Sequence, residues 1–204
     1  MAAPLSTLTT AGLTGALLML IVIPIALIKI YVENPRTRRS LRAALAAAGF
    51  DPQTAEDDKT NPAIIFQSGG RRFKLSYFFG GRGAPNVFSV GALVASDASF
   101  EAVRRDRASV LSDAAGFFNA LRTEDARFEA DFAVSSDAPA MASYLADEEK
   151  RLLIRRLFDQ DCARLKLSSG QFTAYWRGIG LGRPALAAAL AESVAALEIL
   201  ARGL

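Results

Sequence analysis

Four stretches of this 204-residue chain carry residue types at spacings that invite a chemical reading. Glu56, Asp57 and Asp58 are adjacent carboxylates, the raw material of a cation site. The surrounding DPQTAEDDKTN lacks the EF-hand spacing and its central glycine, so a solvated loop is the better reading. Residues 80–85 (GGRGAP) set an arginine among glycines, as a phosphate cradle would. They lack the Walker lysine–hydroxyl pair and lead into a strand pattern, not a helix. Residues 178–184 (GIGLGRP) imitate a dinucleotide fingerprint, but Arg183 stands where its third glycine belongs. No βαβ unit with an acidic residue roughly 20 positions on follows. Arg104, Arg105 and Arg107 are interrupted by Asp106, the pattern of a solvated face.

Two absences bound the chemistry more tightly than these motifs do. The chain has no histidine and one cysteine, Cys162. That removes Ser-His-Asp and Cys-His catalysis, imidazole-ligated zinc, haem on a proximal histidine and imidazole-held chlorophylls. It also removes thiolate zinc sites, iron–sulfur clusters and any internal disulfide, and it suits a reducing compartment. An enzyme built on carboxylates, Arg, Lys, Ser and Tyr would need two carboxylates sharing a cleft, and no pattern here brings two together. The expectation is therefore a non-catalytic protein with no cofactor and no metal. The net charge of +3 is accounted for by arginines clustered after residue 35, so nucleic acid is not an expected partner.

The elements that would position such residues begin with the run at residues 11–30, AGLTGALLMLIVIPIALIKI. Roughly 20 apolar residues at about 1.5 Å each cross a bilayer's hydrocarbon core. The sequence thus predicts a tail at 1–10 and a transmembrane helix at 11–32. A basic juxtamembrane helix and linker occupy 33–61, and a soluble α+β domain occupies 62–204. The run is too long for a signal peptide core, and neither a basic n-region nor a small-x-small cleavage site accompanies it. Lys29 and Tyr31 suit the membrane interface, and Arg36, Arg38, Arg39 and Arg42 follow where basic residues set orientation and meet anionic headgroups. This predicts a single-pass protein of the inner membrane, N-terminus outside and domain cytoplasmic. Gly12, Gly15 and Ala16 form small-xxx-small pairs that would let another membrane helix approach, and Pro24 predicts a kink.

Periodicity predicts the rest. Residues 38–48 read as an amphipathic helix stopped by Gly49, and residues 63–67 and 72–79 as a hairpin about Ser68-Gly69-Gly70. In the second strand Phe73, Leu75, Tyr77 and Phe79 alternate with Arg72, Lys74, Ser76 and Phe78. Residues 86–94 read as a third strand, 99–107 as either strand or helix, and 108–121 as a helix. A strand through Phe132 and Val134 precedes helices at 138–145, capped by Ser136 or Asp137, and at 147–158. A second hairpin joins residues 164–167 to 171–177 through Ser-Ser-Gly. Pro184 then opens a helix to about residue 202. Its stripe Leu186, Leu190, Ser193, Leu197, Leu200, Leu204 could pack on the sheet or on a partner helix, and docking on the domain's own sheet is the expectation. Together these give an α+β fold, one N-terminal transmembrane helix followed by antiparallel hairpins packed with helices.

The stretch from DARFEADFAVSSDAP through SYLADEEKRLLIRRLF to RLKLSSGQFTAYWRG resembles a pattern of uncharacterised bacterial single-pass membrane proteins with a C-terminal α+β domain. The pattern is Phe-x-x-x-Phe, Ser-Asp, a helix pair, then a hairpin ending Trp-x-Gly, and it covers less than half of the chain. The resemblance implies an anchored bacterial domain and no activity. The function expected is a non-catalytic accessory or scaffolding subunit of a larger membrane complex, of the photosynthetic, respiratory or transport kind. Its partners would be other integral membrane subunits. The alternative is a membrane-tethered module that recruits a soluble partner or ligand.

Overall fold

The computed structural model describes residues 22, 34–58, 62–80, 83–105, 121–180 and 184–204. Helix α1 (Asn34–Ala47) leads through a 3₁₀ turn (Pro52–Thr54) to strands β1 (Glu56–Asp57), β2 (Ala63–Ser68), β3 (Arg71–Phe78), β4 (Val87–Leu93) and β5 (Phe100–Arg104). Helix α2 (Ala126–Asp131), β6 (Phe132–Ser136), α3 (Ala140–Ala146), α4 (Glu148–Asp159), β7 (Cys162–Ser168), β8 (Gln171–Arg177) and α5 (Pro184–Leu200) follow. The eight strands form one sheet in the order β1-β2-β3-β4-β8-β7-β5-β6. Every neighbouring pair is antiparallel.

Local chemistry explains the hairpins. Gly69 and Gly70 have φ of +56° and +76°, the left-handed pair that a two-residue turn matched to strand twist requires. Beyond that turn, strand alternation puts Phe73, Leu75 and Tyr77 into the core. One apolar row then runs Ile64, Leu75, Val90, Ala174, Leu165, Ala102, Val134 across seven strands, all of it buried. Helix α5 packs on β4 and β8, α1 on β2 and β3, and α4 on β7. The stripe Leu186, Leu190, Ser193, Leu197, Leu200 is buried as the spacing predicts, with Leu204 partly buried at its end. The opposite face of the sheet carries Lys74, Ser76, Ser89, Thr173 and Lys166 by the same alternation.

The α+β architecture of antiparallel hairpins and helices stands, but its membrane part needs correction. Among the described residues no helix is long and apolar enough to cross a membrane. The most apolar of them, α5, has 17 residues, short of the roughly 20 that a crossing needs, and its leucines pack in the core. The expected span at 11–32 lies outside the described residues, Val22 excepted.

Other differences are local. Helix α1 covers Asn34–Ala47 and so takes in residues 34–37, which the expected helix at 38–48 left out. The expected loop after it contains β1, which pairs with β2. The ambiguous stretch is a strand as far as Arg104, held between β6 and β7. The helix expected at 108–121 falls outside the described residues apart from Leu121, whose N–H donates to the Val134 carbonyl. Helix α2 is an addition: Asp125 accepts from the Arg127 and Phe128 amides and starts it. Neither Ser136 nor Asp137 caps α3. Asp137 instead accepts from the Ser99 amide, and the Ser136 hydroxyl donates to the Ser99 carbonyl.

Candidate interaction surface

Helix α5 is where the fold leaves something unfinished. Its sequence, PALAAALAESVAALEIL, is apolar around the whole circumference apart from Glu192, Ser193 and Glu198. A helix of that kind is ordinarily buried on every side. Here the inward side meets the sheet, while Ala185, Ala188 and Ala195 face outward and are exposed. Alanine keeps this ridge thin, so another backbone can come close.

A hollow lies on each side of the ridge. On one side, Ser40, Ala43 and Ala47 of α1 and Pro184, Ala187 and Ala191 of α5 line a groove of about 670 Å³. On the other, a hollow of about 820 Å³ is walled by Gln160, Asp161, Arg177, Gly178, Ile179 and the α5 residues Ala185, Ala189 and Glu192. Ala188 borders both. Both volumes lie within the ~300–1,000 Å³ common for binding clefts.

The walls of the larger hollow are tied in place. Trp176 Nε1 donates to the Gln160 carbonyl at 3.0 Å, and the Tyr77 hydroxyl donates to the Ile179 carbonyl at 2.9 Å. Gly178 N–H donates to the Asn86 carbonyl at 2.9 Å. Asp161 has φ +61°, a left-handed position that aspartate tolerates, and it reverses the chain from α4 into β7. Arg156 of α4 reaches Glu192 of α5 at 3.0 Å. Beside this end of the sheet Phe78 and Phe79 are 46% and 59% exposed. Phe79 packs edge-on against Tyr77 with ring centroids 5.0 Å apart.

The residues singled out from the sequence are distributed differently. Lys29, Tyr31, Gly12, Gly15 and Ala16 lie outside the described residues. Arg36 and Arg39 are exposed on α1. Arg38 and Arg42 instead turn toward the acidic stretch, meeting Asp57 at 3.5 and 2.8 Å. Arg42 also donates to the Ala55 carbonyl at 3.0 Å. Asp58 pairs with Lys74 at 2.6 Å, and Glu56 with Arg72 at 3.4 Å. The carboxylates that looked like a solvated loop thus fasten α1 and β3 to the sheet edge. Arg104 reaches Asp159 at 2.7 Å, Arg105 donates to the Glu129 carbonyl at 2.8 Å, and Arg107 is outside the described residues.

Three carboxylates are held below their ordinary range. Asp125 is lowered chiefly by the Phe128 amide, with Arg151 beside it. Glu129 is lowered by the Thr123 amide and then Arg122, and Asp137 by Ser99. Each serves a cap or a loop tie. Among the described residues no group of three or more His, Cys, Asp or Glu side chains converges as a metal site would need.

Periodicity alone does not show which side of α5 faces outward, nor that Phe78 and Phe79 are exposed. The signals were present: alanine at nearly every outward position of the last helix, and Phe78 at a place in β3 where alternation calls for a polar residue.

No family model and no curated protein sequence matches the chain. Among solved structures, the crystal structure of the mycobacterial trehalose monomycolate transport factor A, TtfA, aligns at 10% identity over 81% of this chain and 94% of that one. Its TM-score is 0.49, and a likeness at that level transfers neither fold nor function.

Proposed function

We propose that this chain is a non-catalytic accessory or scaffolding subunit, working by surface contact inside a larger membrane assembly. The observation that carries the reading is the alanine ridge of α5, left exposed by the described residues, with a hollow on either side. An apolar helix with Ala185, Ala188 and Ala195 exposed offers a thin face for a further contact, and small side chains suit it to close packing by a partner helix in the α1–α5 groove. The disposition of charge supports the same reading. Asp57, Asp58, Glu101, Asp131 and Asp159 each face an arginine or lysine, so their carboxylates do structural tasks. The membrane location and cytoplasmic orientation belong to the proposal. Their support is the single buried cysteine and the excess of arginine just after residue 35.

Purification in mild detergent with mass spectrometry of co-migrating proteins tests the assembly. Stoichiometric integral membrane partners are expected with the native chain, and their loss with Ala43→Arg or Ala47→Arg, both at exposed α1 positions. A lone chain that captures one soluble protein would point instead to a recruiting module. Turnover by the purified chain would contradict both readings. For orientation, a cysteine at exposed Ser169 should stay unlabelled by an impermeant thiol reagent in intact cells.

A further inference from the structure

We propose that the outward face of α1 docks on the anionic headgroups of a lipid bilayer through Arg36 and Arg39. The inference rests on the membrane location proposed above and adds which face of the domain meets the lipid. Helix α1 carries four arginines and no carboxylate, and the fold uses the arginines in two ways. Arg38 and Arg42 turn to Asp57 at 3.5 and 2.8 Å, and Leu41 and Leu45 are fully buried. These contacts fix the roll of α1 about its axis. Arg36 and Arg39 stand on the side away from the core and are exposed. Among the described residues neither meets a carboxylate, and Arg39 makes a 3.5 Å bond to the Pro35 carbonyl.

The two arginines begin a stripe. Arg36, Arg39, Ala43 and Ala46 follow at helical spacing on one face, and all four are exposed. Beside it, between α1 and the 3₁₀ turn, lies a hollow of about 450 Å³ lined by Arg42, Ala43, Ala46, Pro52, Gln53 and Ala55. No carboxylate lines it.

Charge selects the occupant. Guanidinium groups without a carboxylate call for anions, and phosphate suits them well. A protein partner would want an aromatic or large apolar anchor, and the stripe has none. A headgroup layer needs no anchor. It offers many anions over a broad surface, and alanine lets that surface come close to the helix.

The test places a fluorophore on Ala46→Cys of the full chain, a position outside the α1–α5 groove. Cys162 is buried and stays unlabelled. The chain is reconstituted into vesicles carrying a headgroup quencher, made of phosphatidylcholine alone or with about one-third phosphatidylserine. Strong quenching is expected only with phosphatidylserine. It should fade at roughly 1 M salt, where charges are screened within about 3 Å. Arg36→Gln and Arg39→Gln should each lower the docked-to-free ratio roughly fivefold. Arg177→Gln, at an exposed position of β8, should leave it unchanged. Quenching equal in the two vesicles, indifferent to Arg36 and Arg39, or as strong from a label on Ser169→Cys would overturn the proposal. So would a label on Ala46→Cys that a protein shields in native membranes and that neither vesicle quenches. A chain that floats with vesicles on a density gradient yet stays unquenched at residue 46 removes the docking face alone. A chain that floats with neither kind removes the membrane location and the docking face together.

Discussion

Tyr144 lies 7% exposed beneath the end of α5, its hydroxyl donating to the Leu200 carbonyl. The Lys150 ammonium sits 4.0 Å over its ring. Burial, followed by the nearby Asp147 charge, pushes this phenol well above its ordinary value of 10.0. The folded state therefore favours the neutral phenol. Its contribution is complete below the unfolded value and is lost as pH rises past it toward the higher folded value. Tyr144→Phe should cost about 0.5–1.5 kcal/mol at neutral pH from the lost hydrogen bond. It should also flatten the fall in stability above pH ~10, which urea titrations across the alkaline range would show. The lowered carboxylates act at the other end of the scale. Asp125, Glu129 and Asp137 stabilise the fold above their ordinary values of 3.8, 4.5 and 3.8, and the contribution is lost as pH falls through their depressed folded values. Asp125→Asn should lower stability at neutral pH and make acid unfolding less steep, as followed by circular dichroism.

At the scale of elements, the sheet and α5 depend on each other. Ala174 is fully buried at the middle of the apolar row, where β8 lies under α5. A small side chain there lets the helix sit close. Ala174→Leu should destabilise by roughly 1–3 kcal/mol through overpacking. Trp176→Ala should cost roughly 3–5 kcal/mol and also release the Gln160 carbonyl that shapes the larger hollow. Thermal melts of the two variants would check both. This is also where sequence was most and least legible. Hairpins marked by Gly69-Gly70 and Ser169-Gly170, and the core stripe of α5, follow from turn chemistry and spacing alone. Strand β1 did not, because two charged residues become a strand only when β2 offers its edge. Helix α2 did not either, since six residues carry little periodicity and owe their start to Asp125. The candidate surface was legible only in part. The alanines were visible in the sequence, but which of them face outward depends on how α1 and α4 flank α5.

For the molecule as a whole, the sheet divides the labour. One face carries the continuous core and the three packing helices, and the far side of those helices exposes the alanine ridge. A domain of this size has about 5–15 kcal/mol of net stability, so exposed apolar surface that adds nothing to the folded monomer is informative. The α1–α5 groove and the Phe79 end are such surfaces. The hydrogen bonds that Trp176 and Tyr77 donate to the Gln160 and Ile179 carbonyls suit contact without rearrangement. The most direct measurement is site-specific photocrosslinking in intact cells, with a photoreactive residue in place of Ala47 on the groove wall of the full chain. A discrete adduct with an integral membrane protein is expected, lost when Ala43→Arg is added. Adducts only to a second copy of the chain, or none above those formed from an exposed position away from the groove, would contradict it.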